Sequence, residues 1–361
     1  MILSRLTPQN FRNLASAEIA FHPAANIVVG RNGQGKTNLL EAIYFLATTK
    51  SFRTPRTASI FRFDSPSVFV AGALQRHGLE KTISAALETG ETKRRVLMIN
   101  GEKVALAAYL NAMNVFAYSA ARLEILRGAP EEKRRFLDRG VASIDPLYLE
   151  QLTRYTRVLK QRNALLHAIS GGRESASQLD AWDDELTRAG AVLHRARAAY
   201  ATEIAKAYSE IVAAHGYHIR DLAISYRPSL IADLGRTRRE EIRARVSLSG
   251  PQRDNIEFTT GGRPAQEVLS GGEQKMVVMF LKFAKLELFR RRFEEPAIFL
   301  LDDVDAELDL EILEELLVRL PSDTQVFATS AKERFVRALA AGPHRRLIVE
   351  NGRVTAAEDL A

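Results

Sequence analysis

The first 120 residues of the chain carry short apolar runs and alternating apolar and polar positions. Alternation of this kind is typical of half-buried strands, and one apolar stripe at helical spacing predicts a helix over residues 38–46. The predicted strands span residues 2–6, 18–21, 26–29, 69–74, 81–87, 94–99 and 115–118. This part of the chain is therefore predicted to be mostly β-structure with one helix.

The pattern becomes helical between residues 131 and 215. Residues 150–167 place leucine and tyrosine side chains on one face, and residues 182–200 repeat apolar positions in alternating steps of four and three. A Ser-Gly-Gly break at residues 170–172 separates the two stretches. They are predicted to form an antiparallel helical hairpin.

A mixed pattern returns after residue 245. The elements predicted there are strands at 246–248, 255–259, 297–301 and 325–329, helices at 272–291 and 312–319, and a hairpin at 347–354. Similar α/β patterns at both ends predict one discontinuous domain, 1–128 together with 246–361. A helical lobe at 129–245 is predicted to interrupt it.

A glycine-rich stretch lies between the predicted strand at 26–29 and the helix at 38–46. It fits the G-x-x-x-x-G-K-[ST] phosphate loop, in which glycines let backbone N–H groups surround a phosphate chain. The residues expected to bind ATP there are Gly30, Arg31, Asn32, Gly33, Gln34, Gly35, Lys36 and Thr37. Lys36 is expected to reach the β- and γ-phosphates, and the Thr37 hydroxyl to ligate Mg²⁺.

An apolar strand near residue 300 ends in two carboxylates, Asp302 and Asp303. In a phosphate-loop ATPase we expect such a strand next to the loop strand, which brings both carboxylates to the phosphates. Asp302 is then expected to hold the Mg²⁺ shell. Asp303 is expected to orient or deprotonate the attacking water, as a catalytic residue together with Lys36.

Ser270, Gly271 and Gly272 stand at the start of the predicted helix at 272–291. Free backbone N–H groups at a helix N-terminus, together with a serine hydroxyl, form an anion site. Behind a phosphate loop and ahead of an Asp-Asp strand, this segment resembles the signature of ABC-type ATPases. Residues 303–309 then occupy the place of the D-loop, and Asp309 is a further expected nucleotide-binding residue.

The resemblance to ABC-type ATPases implies a mechanical cycle. In that class the signature of one subunit caps the γ-phosphate held by the loop of another, so that ATP closes a two-fold homodimer and hydrolysis opens it. Two alternatives within the class stay open, the ATPase subunit of a membrane transporter and an overcoming-lysogenisation-type ATPase. Transporter ATPases place the signature much closer to the loop, and the second alternative predicts an additional nuclease domain.

Several blocks outside the ATPase motifs narrow the resemblance. They are Asn10-Phe11-Arg12-Asn13, Asn38-Leu39-Leu40-Glu41-Ala42-Ile43-Tyr44, Lys50-Ser51-Phe52-Arg53, Arg134-Arg135-Phe136-Leu137-Asp138-Arg139, Arg154-Tyr155, Val158-Leu159-Lys160-Gln161-Arg162-Asn163-Ala164-Leu165-Leu166 and Gly250-Pro251-Gln252-Arg253-Asp254. With these blocks the chain resembles the RecF family of bacterial recombination mediators over nearly its whole length. The fold class implied is α/β, an ABC-type ATPase head with a phosphate-loop sheet, an antiparallel β subdomain and an inserted helical lobe.

The resemblance implies an ATP-dependent DNA-binding clamp of recombinational repair that hydrolyses ATP slowly. RecF-like proteins bind duplex DNA and single–double strand junctions with ATP, and act with RecO and RecR to load RecA onto gapped DNA. Ser330 stands in the slot of the ABC switch histidine. A hydroxyl there can bond the γ-phosphate but cannot act as a base.

The charge balance adds candidate DNA contacts. The 361 residues carry a net charge of +7, and most of the positive charge is arginine, which pairs with phosphate through a planar fork. The excess falls at residues 50–62, 122–173 and 236–245, with few aromatic residues, which favours DNA backbone contacts over base stacking. The candidate contacts are Arg53, Arg56, Arg134, Arg135, Arg157 and Arg162.

Cysteine is absent, which excludes disulfides, zinc fingers, iron–sulfur clusters and cysteine nucleophiles. Residues 1–11 lack the apolar core of a signal peptide, and the longest apolar runs are too short to span a bilayer. A cytoplasmic location without a membrane partner is expected.

Overall fold

The chain divides into one discontinuous and one continuous unit. Unit 1 consists of Met1–Arg122 and Gly271–Ala361, and unit 2 of Leu123–Ser270. The boundaries predicted at 128/129 and 245/246 fall inside unit 2 and stay a prediction. The computed structural model describes residues 1–54, 56–76, 78–89, 94–118, 124–214, 216–217, 219, 221–231, 234–303, 310, 314, 320, 323–332, 335–337, 340 and 342–360.

The elements of the described residues follow the predicted order of β-structure, helices and mixed structure. The strands are β1 Ile2–Gln9, β2 Ile19–Ala20, β3 Ala25–Val29, β4 Ser67–Arg76, β5 Leu79–Glu88, β6 Arg94–Ile99, β7 Glu102–Lys103, β8 Val115–Tyr118, β9 Ala223–Arg227, β10 Asn255–Thr260, β11 Arg263–Pro264, β12 Ile298–Leu301, β13 Gln325–Ser330, β14 His344–Glu350 and β15 Arg353–Leu360. The helices are α1 Lys36–Thr48, α2 Leu106–Leu110, α3 Glu124–Arg127, α4 Pro130–Ile144, α5 Tyr148–Ser170, α6 Leu179–Ala214, α7 Leu234–Ala244, α8 Ala265–Val268 and α9 Gly271–Phe293. Short 3-10 turns lie at Thr57–Ile60, Ala176–Gln178 and Pro251–Arg253.

The first sheet of unit 1 is antiparallel, with the order β2-β1-β4-β5-β6-β7. Its strands β4, β5 and β6 form an antiparallel meander at the places where strands are predicted over 69–74, 81–87 and 94–99. Asn100 and Gly101 turn the chain from β6 to β7, and both have positive φ. A tight hairpin turn needs left-handed backbone at two consecutive positions, which asparagine and glycine adopt most readily.

The second sheet of unit 1 has the order β15-β14-β3-β13-β12-β8. Its strands are parallel from β14 to β8, and β15 is an antiparallel edge strand. The expectation that β12 lies next to β3 is wrong, because β13 pairs with both and separates them. Strand β13 thereby places Thr329 beside the carboxyl ends of β3 and β12.

Helix α1 is enclosed by the two sheets of unit 1. It contacts β4 and β5 on one side and β8 and β13 on the other, and ten of its thirteen residues are buried. A helix buried all round needs no polar face, which explains its nearly continuous apolar sequence. Helix α9 packs on the parallel sheet through aromatic pairs, Phe289 on Phe116 and Phe283 on Phe299.

Unit 2 contains the predicted helical hairpin. Tyr148 at the start of α5 contacts Arg197 of α6, and Arg162 farther along α5 contacts Asp183, so the two helices run antiparallel. The three-stranded antiparallel sheet of this unit has the order β11-β10-β9. Helix α6 contacts β9, and α4 contacts both α6 and β10.

Asp254 is the buried polar centre of unit 2. Arg197 Nη1 donates to its Oδ2 at 2.7 Å, the Ser229 N–H donates to its Oδ1 at 2.8 Å, and the Tyr226 hydroxyl also donates to Oδ2. Burial alone would raise the pKa of Asp254. Hydrogen bonds from His194, Tyr226, Ser229 and Arg197 nevertheless hold this pKa below its usual value.

The strand predicted at 246–248 is wrong. The Ser247 N–H and hydroxyl donate to Asn163 Oδ1 at 2.9 and 2.8 Å, and the Leu248 N–H donates to Glu241 Oε1 at 2.8 Å. Side-chain acceptors thus replace the neighbouring strand that this short apolar run would need. Most of the helix predicted at 312–319 lies outside the described residues. Within the part of the chain that is described, no helix is both long and apolar enough to cross a membrane.

Candidate functional site

The phosphate loop joins β3 to α1, and glycine is required at several of its positions. Gly30, Gly33 and Gly35 have φ values of 150°, 81° and 117°. A Cβ on Gly30 would lie 2.4 Å from the Val349 carbonyl oxygen, and one on Gly35 would lie 2.8 Å from Asn13 Oδ1. The loop therefore depends on glycine both for left-handed backbone and for close approach to its neighbours.

The Lys36 amine lies inside this loop, with only 5% of the residue exposed. Its Nζ donates to the carbonyl oxygens of Gly30 at 2.7 Å and of Arg31 at 3.3 Å, and lies 3.5 Å from Asn32 Oδ1. Helix α1 starts here without a side-chain cap. The amine and the first N–H groups of the helix are thus placed where phosphate oxygens could accept their hydrogen bonds.

Gln34 anchors the outer side of the loop to two distant segments. Its Oε1 accepts the Asn351 N–H at 2.6 Å, and its carbonyl oxygen accepts the Gly352 N–H at 2.8 Å. Asn13 Nδ2 donates to the same carbonyl oxygen at 3.2 Å. The sequence motif predicts the loop but neither of these partners, since both lie far from it along the chain.

Asp302 lies at the end of β12 beside the start of α1, and only 6% of it is exposed. Its Oδ1 accepts hydrogen bonds from Thr37 Oγ1 at 2.9 Å and from Thr329 Oγ1 at 3.0 Å. Burial raises the pKa of Asp302 to about 6, although both hydroxyls oppose the rise. Sequence reasoning missed Thr329, which is the second-last residue of β13.

Asp303 follows with an exposed side chain and a left-handed backbone at φ 50°. Its N–H donates to Thr329 Oγ1 at 2.7 Å, so the Thr329 hydroxyl links both carboxylate residues. Ser330, predicted to replace the switch histidine, is buried and its hydroxyl accepts the Lys332 N–H at 3.1 Å. Thr329, rather than Ser330, is therefore the hydroxyl that contacts Asp302.

The signature residues Ser270, Gly271 and Gly272 are exposed, and α9 begins at Gly271. A Cβ on Gly272 would meet open space, so this glycine is not required by packing within the chain. Asp309, the expected D-loop residue, lies outside the described residues.

Glu41 of α1 is a fully buried carboxylate near the loop that sequence reasoning did not single out as a site residue. Arg12 binds it through Nε and through Nη2, the latter at 2.7 Å, and the Ser51 hydroxyl also donates to it. Arg53 Nη1 lies 3.8 Å from Glu41 and donates to Asn38 Oδ1 at 3.0 Å. This cluster explains why the blocks at 10–13 and 50–53 accompany the phosphate loop.

Arg53 of this cluster also acts on Asp302. Its positive charge is among the influences that lower the pKa of Asp302, against the larger effect of burial. The half-exposed guanidinium of Arg53 therefore lies near the Asp302 carboxylate as well as at the surface of unit 1. Arg56, the other candidate in this segment, is exposed.

The candidate DNA contacts of unit 2 differ in their surroundings. Arg157 is exposed on α5. Arg135 is exposed on α4 but pairs with Glu131 and Glu132 one turn earlier. Arg134 is half-buried and donates to the Asp254 carbonyl oxygen at 3.0 Å, and burial followed by the nearby charge of Arg197 lowers its pKa.

Arg162 does not have the surroundings of a DNA contact. Its side chain is fully buried, and it donates to Asp183 Oδ1 at 2.7 Å, Glu241 Oε2 at 2.6 Å and Ser247 Oγ at 2.7 Å. A guanidinium enclosed by two carboxylates cannot reach a DNA backbone. We therefore assign Arg162 to the internal packing of unit 2 and correct the expectation drawn from charge alone.

Known proteins resemble this chain in sequence and in fold. Residues 2–350 match the family model of the RecF/RecN/SMC N-terminal domain. DNA replication and repair protein RecF of Geobacter metallireducens is 33% identical over 374 residues, which cover 98% of this chain and 100% of that protein. The protein of the same name from Myxococcus xanthus is 34% identical over 377 residues, covering 99% and 98%.

Solved structures extend the similarity to the fold. A structure of the recombination mediator protein RecF-ATPrS in the RecFOR pathway is 25% identical, with a TM-score of 0.87 over 99% of this chain and 98% of that one. An Smc head bound to the C-winged helix domain of ScpA shares the fold, with a TM-score of 0.56 and 15% identity over 100% and 98%. These findings confirm the predicted α/β class with an ABC-type ATPase head, and the chain belongs to the RecF family.

Proposed function

We propose that this protein is an ATP-dependent DNA clamp of recombinational repair, whose homodimer closes on duplex or gapped DNA when ATP binds. One observation carries the proposal, the convergence of Lys36, Thr37 and Asp302 at the loop between β3 and α1. Family membership and the similarity to RecF-ATPrS support ATP as the nucleotide.

Residues 30–37 would surround the phosphates with backbone N–H groups. Lys36 would exchange its hydrogen bonds to the Gly30 and Arg31 carbonyl oxygens for bonds to the β- and γ-phosphates. Because its amine already lies in the loop, binding would replace existing partners and require no new burial of a charge. This preorganisation favours tight nucleotide binding.

The donor set suits Mg²⁺. Thr37 Oγ1 and Asp302 Oδ1 are hard oxygen ligands 2.9 Å apart, and Mg²⁺ takes few protein ligands besides phosphates and water. When bound, Mg²⁺ would neutralise negative charge on the β- and γ-phosphates. Asp303, whose carboxylate is exposed next to this pair, would orient the attacking water or accept its proton.

Closure would need a second copy of the chain. The exposed Ser270, Gly271 and Gly272 would cap the γ-phosphate held by the partner's loop, with Asp309 expected at the same interface. ATP then shifts the population toward the dimer by its higher affinity for the closed state. A clamp that works in its ATP state benefits from slow hydrolysis, so ATP turnover by this protein would be slow.

DNA would be the macromolecular ligand, either as duplex or as a single–double strand junction. Arg53, Arg56, Arg134, Arg135 and Arg157 remain candidate contacts through the backbone phosphates. By resemblance to the family, RecR and RecO would be protein partners, and the loading of RecA at single-strand gaps would be the outcome.

A binding series tests the proposal. The affinity of the protein for gapped and for blunt duplex would be measured with and without ATP at increasing salt, with Lys36→Ala as the nucleotide-free control. We expect ATP to raise the affinity of the wild-type protein only, and the affinity to fall steeply with salt. DNA binding that is absent or insensitive to salt would contradict the clamp.

A further inference from the structure

Helix α5 and the turn after it carry only positive charge between Glu150 and Glu174. Residues 151–173 contain five Lys or Arg residues and no Asp or Glu. Its partner in the hairpin, α6, mixes six acidic residues with four Lys or Arg residues over Leu179–Ala214. A solvated helix face ordinarily mixes both signs, as α6 does, so the one-sided charge of residues 151–173 indicates an anionic partner.

In the described part of the chain, the five cations of residues 151–173 divide into two that are buried or paired with a carboxylate and three that are neither. Arg162 is buried, and Arg154 donates to Glu185 of α6 at 2.8 Å through Nε. Arg157, Lys160 and Arg173 are exposed, and among the described contacts none of them reaches a carboxylate. Three of the five cations therefore offer their full charge to solvent.

Two further groups extend this set at the C-terminal end of α5. Arg173 Nη2 lies 3.4 Å from His167 Nδ1, and Arg245 donates from Nε to Ser170 Oγ at 3.2 Å. We call Arg157, Lys160, His167, Arg173 and Arg245 the α5 stripe. All five are exposed.

The α5 stripe occupies one side of the helix. Arg157, Lys160 and His167 are three and seven residues apart in succession, which places them on the same helical face. From Arg157 to Ser170, where Arg245 joins, the helix rises about 20 Å at 1.5 Å per residue. At 3.4 Å per base pair this length corresponds to about six base pairs of duplex DNA.

The chemistry of the α5 stripe favours phosphates over bases. The tyrosines of α5, Tyr148 and Tyr155, are both buried, so neither can stack on a base. Exposed guanidinium and ammonium groups without carboxylate partners are the usual ligands of backbone phosphates.

We infer that the α5 stripe binds the phosphates of one strand of duplex DNA without selecting its sequence. This inference rests on the proposed function and adds to it a surface on unit 2, with Lys160, His167, Arg173 and Arg245 as new contacts. Each cation that meets a phosphate releases a counterion and adds about 0.9 to the slope of log affinity against log salt.

The test compares two double variants of the full-length protein with equal loss of charge. Arg157→Gln with Lys160→Gln removes two cations of the α5 stripe, and Arg188→Gln with Lys206→Gln removes two cations of α6 that lie beside Glu185 and Glu210. Glutamine keeps the helix propensity of both residues. Binding of a labelled duplex is measured by fluorescence anisotropy with ATP between about 50 and 200 mM salt.

We expect the α5 variant to lower the magnitude of the salt slope by about 2 and the affinity at low salt at least about tenfold. The α6 variant should behave like the wild-type protein. The charge-conserving variant Arg157→Lys with Lys160→Arg should keep the wild-type salt slope. This result would show that the loss of charge, and not an effect of substitution on folding, changes the slope.

Equal slopes in the α5 and α6 variants, with normal DNA binding by the wild-type protein, would overturn the inference and leave the proposed function intact. A wild-type protein without DNA affinity would overturn both. Polyglutamate serves as a probe for an acidic protein partner. If it binds the wild-type protein more tightly than duplex DNA does, and binds the α5 variant much less tightly, the α5 stripe is a site for an acidic protein. This result would also overturn the inference.

Discussion

Arg162 provides a direct test of what holds unit 2 together. Its buried guanidinium donates to Asp183, Glu241 and Ser247 at 2.6–2.7 Å. Methionine is similarly long and favours helix equally, but it provides none of these hydrogen bonds. We expect Arg162→Met to destabilise unit 2 by about 3–5 kcal/mol, the usual effect of removing one partner from a buried ion pair.

The two carboxylates that lose Arg162 as a partner determine how much stability unit 2 loses. Asp183 keeps Arg238 as a partner at 2.7 Å, whereas the fully buried Glu241 keeps the Leu248 N–H at 2.8 Å. Most of the penalty should therefore come from the uncompensated charge of Glu241. Adding Glu241→Gln to Arg162→Met should recover about 1–3 kcal/mol, because a neutral amide is easier to bury than a carboxylate.

Intrinsic fluorescence provides the assay, since the only tryptophan of the chain, Trp182, lies on α6 next to Asp183. The shift of the denaturant midpoint, multiplied by the slope of the transition, gives the change in the free energy of unfolding. Arg157→Met on the exposed side of α5 is the matched control, expected within about 0.5 kcal/mol of wild type. A loss below about 1 kcal/mol in Arg162→Met would refute the internal role of this arginine.

Four further substitutions test the site and its supports. Lys36→Ala should abolish ATP binding in calorimetry, and tight binding by this variant would contradict the site. Asp302→Asn should raise the melting temperature of the nucleotide-free protein at neutral pH. Burial raises the pKa of Asp302 from 3.8 to about 6. The folded state therefore loses about 3 kcal/mol of stability as the pH rises through that interval, and a neutral amide avoids this loss. This gain should vanish below about pH 4, and a gain of equal size there would refute its electrostatic origin. Ser270→Arg should block ATP-dependent dimerisation in light scattering while ATP binding persists, and a dimer at wild-type yield would count against the signature. Gly352→Ala should lower the melting temperature of unit 1, because its φ is 78° and a Cβ would lie 1.8 Å from the Asn13 carbonyl oxygen, and an unchanged melting temperature would contradict this clash.

Local patterns predict the elements that position the site. The phosphate loop, the helix after it and the strand ending at Asp302 follow from short motifs and apolar runs, because each is determined by neighbouring residues. The order of strands in the sheet is different, since it depends on pairing between distant segments. For this reason the position of β13 between β3 and β12, and with it the role of Thr329, came only from the structure.

The apolar pattern of α5 already indicates that Arg162 is buried, whereas its charge alone suggests a surface contact with DNA. Tyr155, Leu159 and Leu166 define the inner face of α5, and position 162 continues the same face at a spacing of seven from Tyr155. An arginine on the apolar face of a helix is almost never fully buried unless a carboxylate or another acceptor pairs with it. Its partners Asp183 and Glu241 lie on two other helices, so the periodicity of α5 alone could not identify them.

The arrangement of the parallel sheet has a consequence for protein synthesis. Strand β3, which leads into the phosphate loop, pairs on both sides with strands that are made after unit 2, β13 and β14. The loop itself is held by Asn351 and Gly352, which also follow unit 2 in the sequence. Unit 2 is continuous in sequence and can fold while the ribosome is still adding residues. A nascent chain that has just completed unit 2 would thus lack both strands that flank β3 and the contacts that hold the phosphate loop.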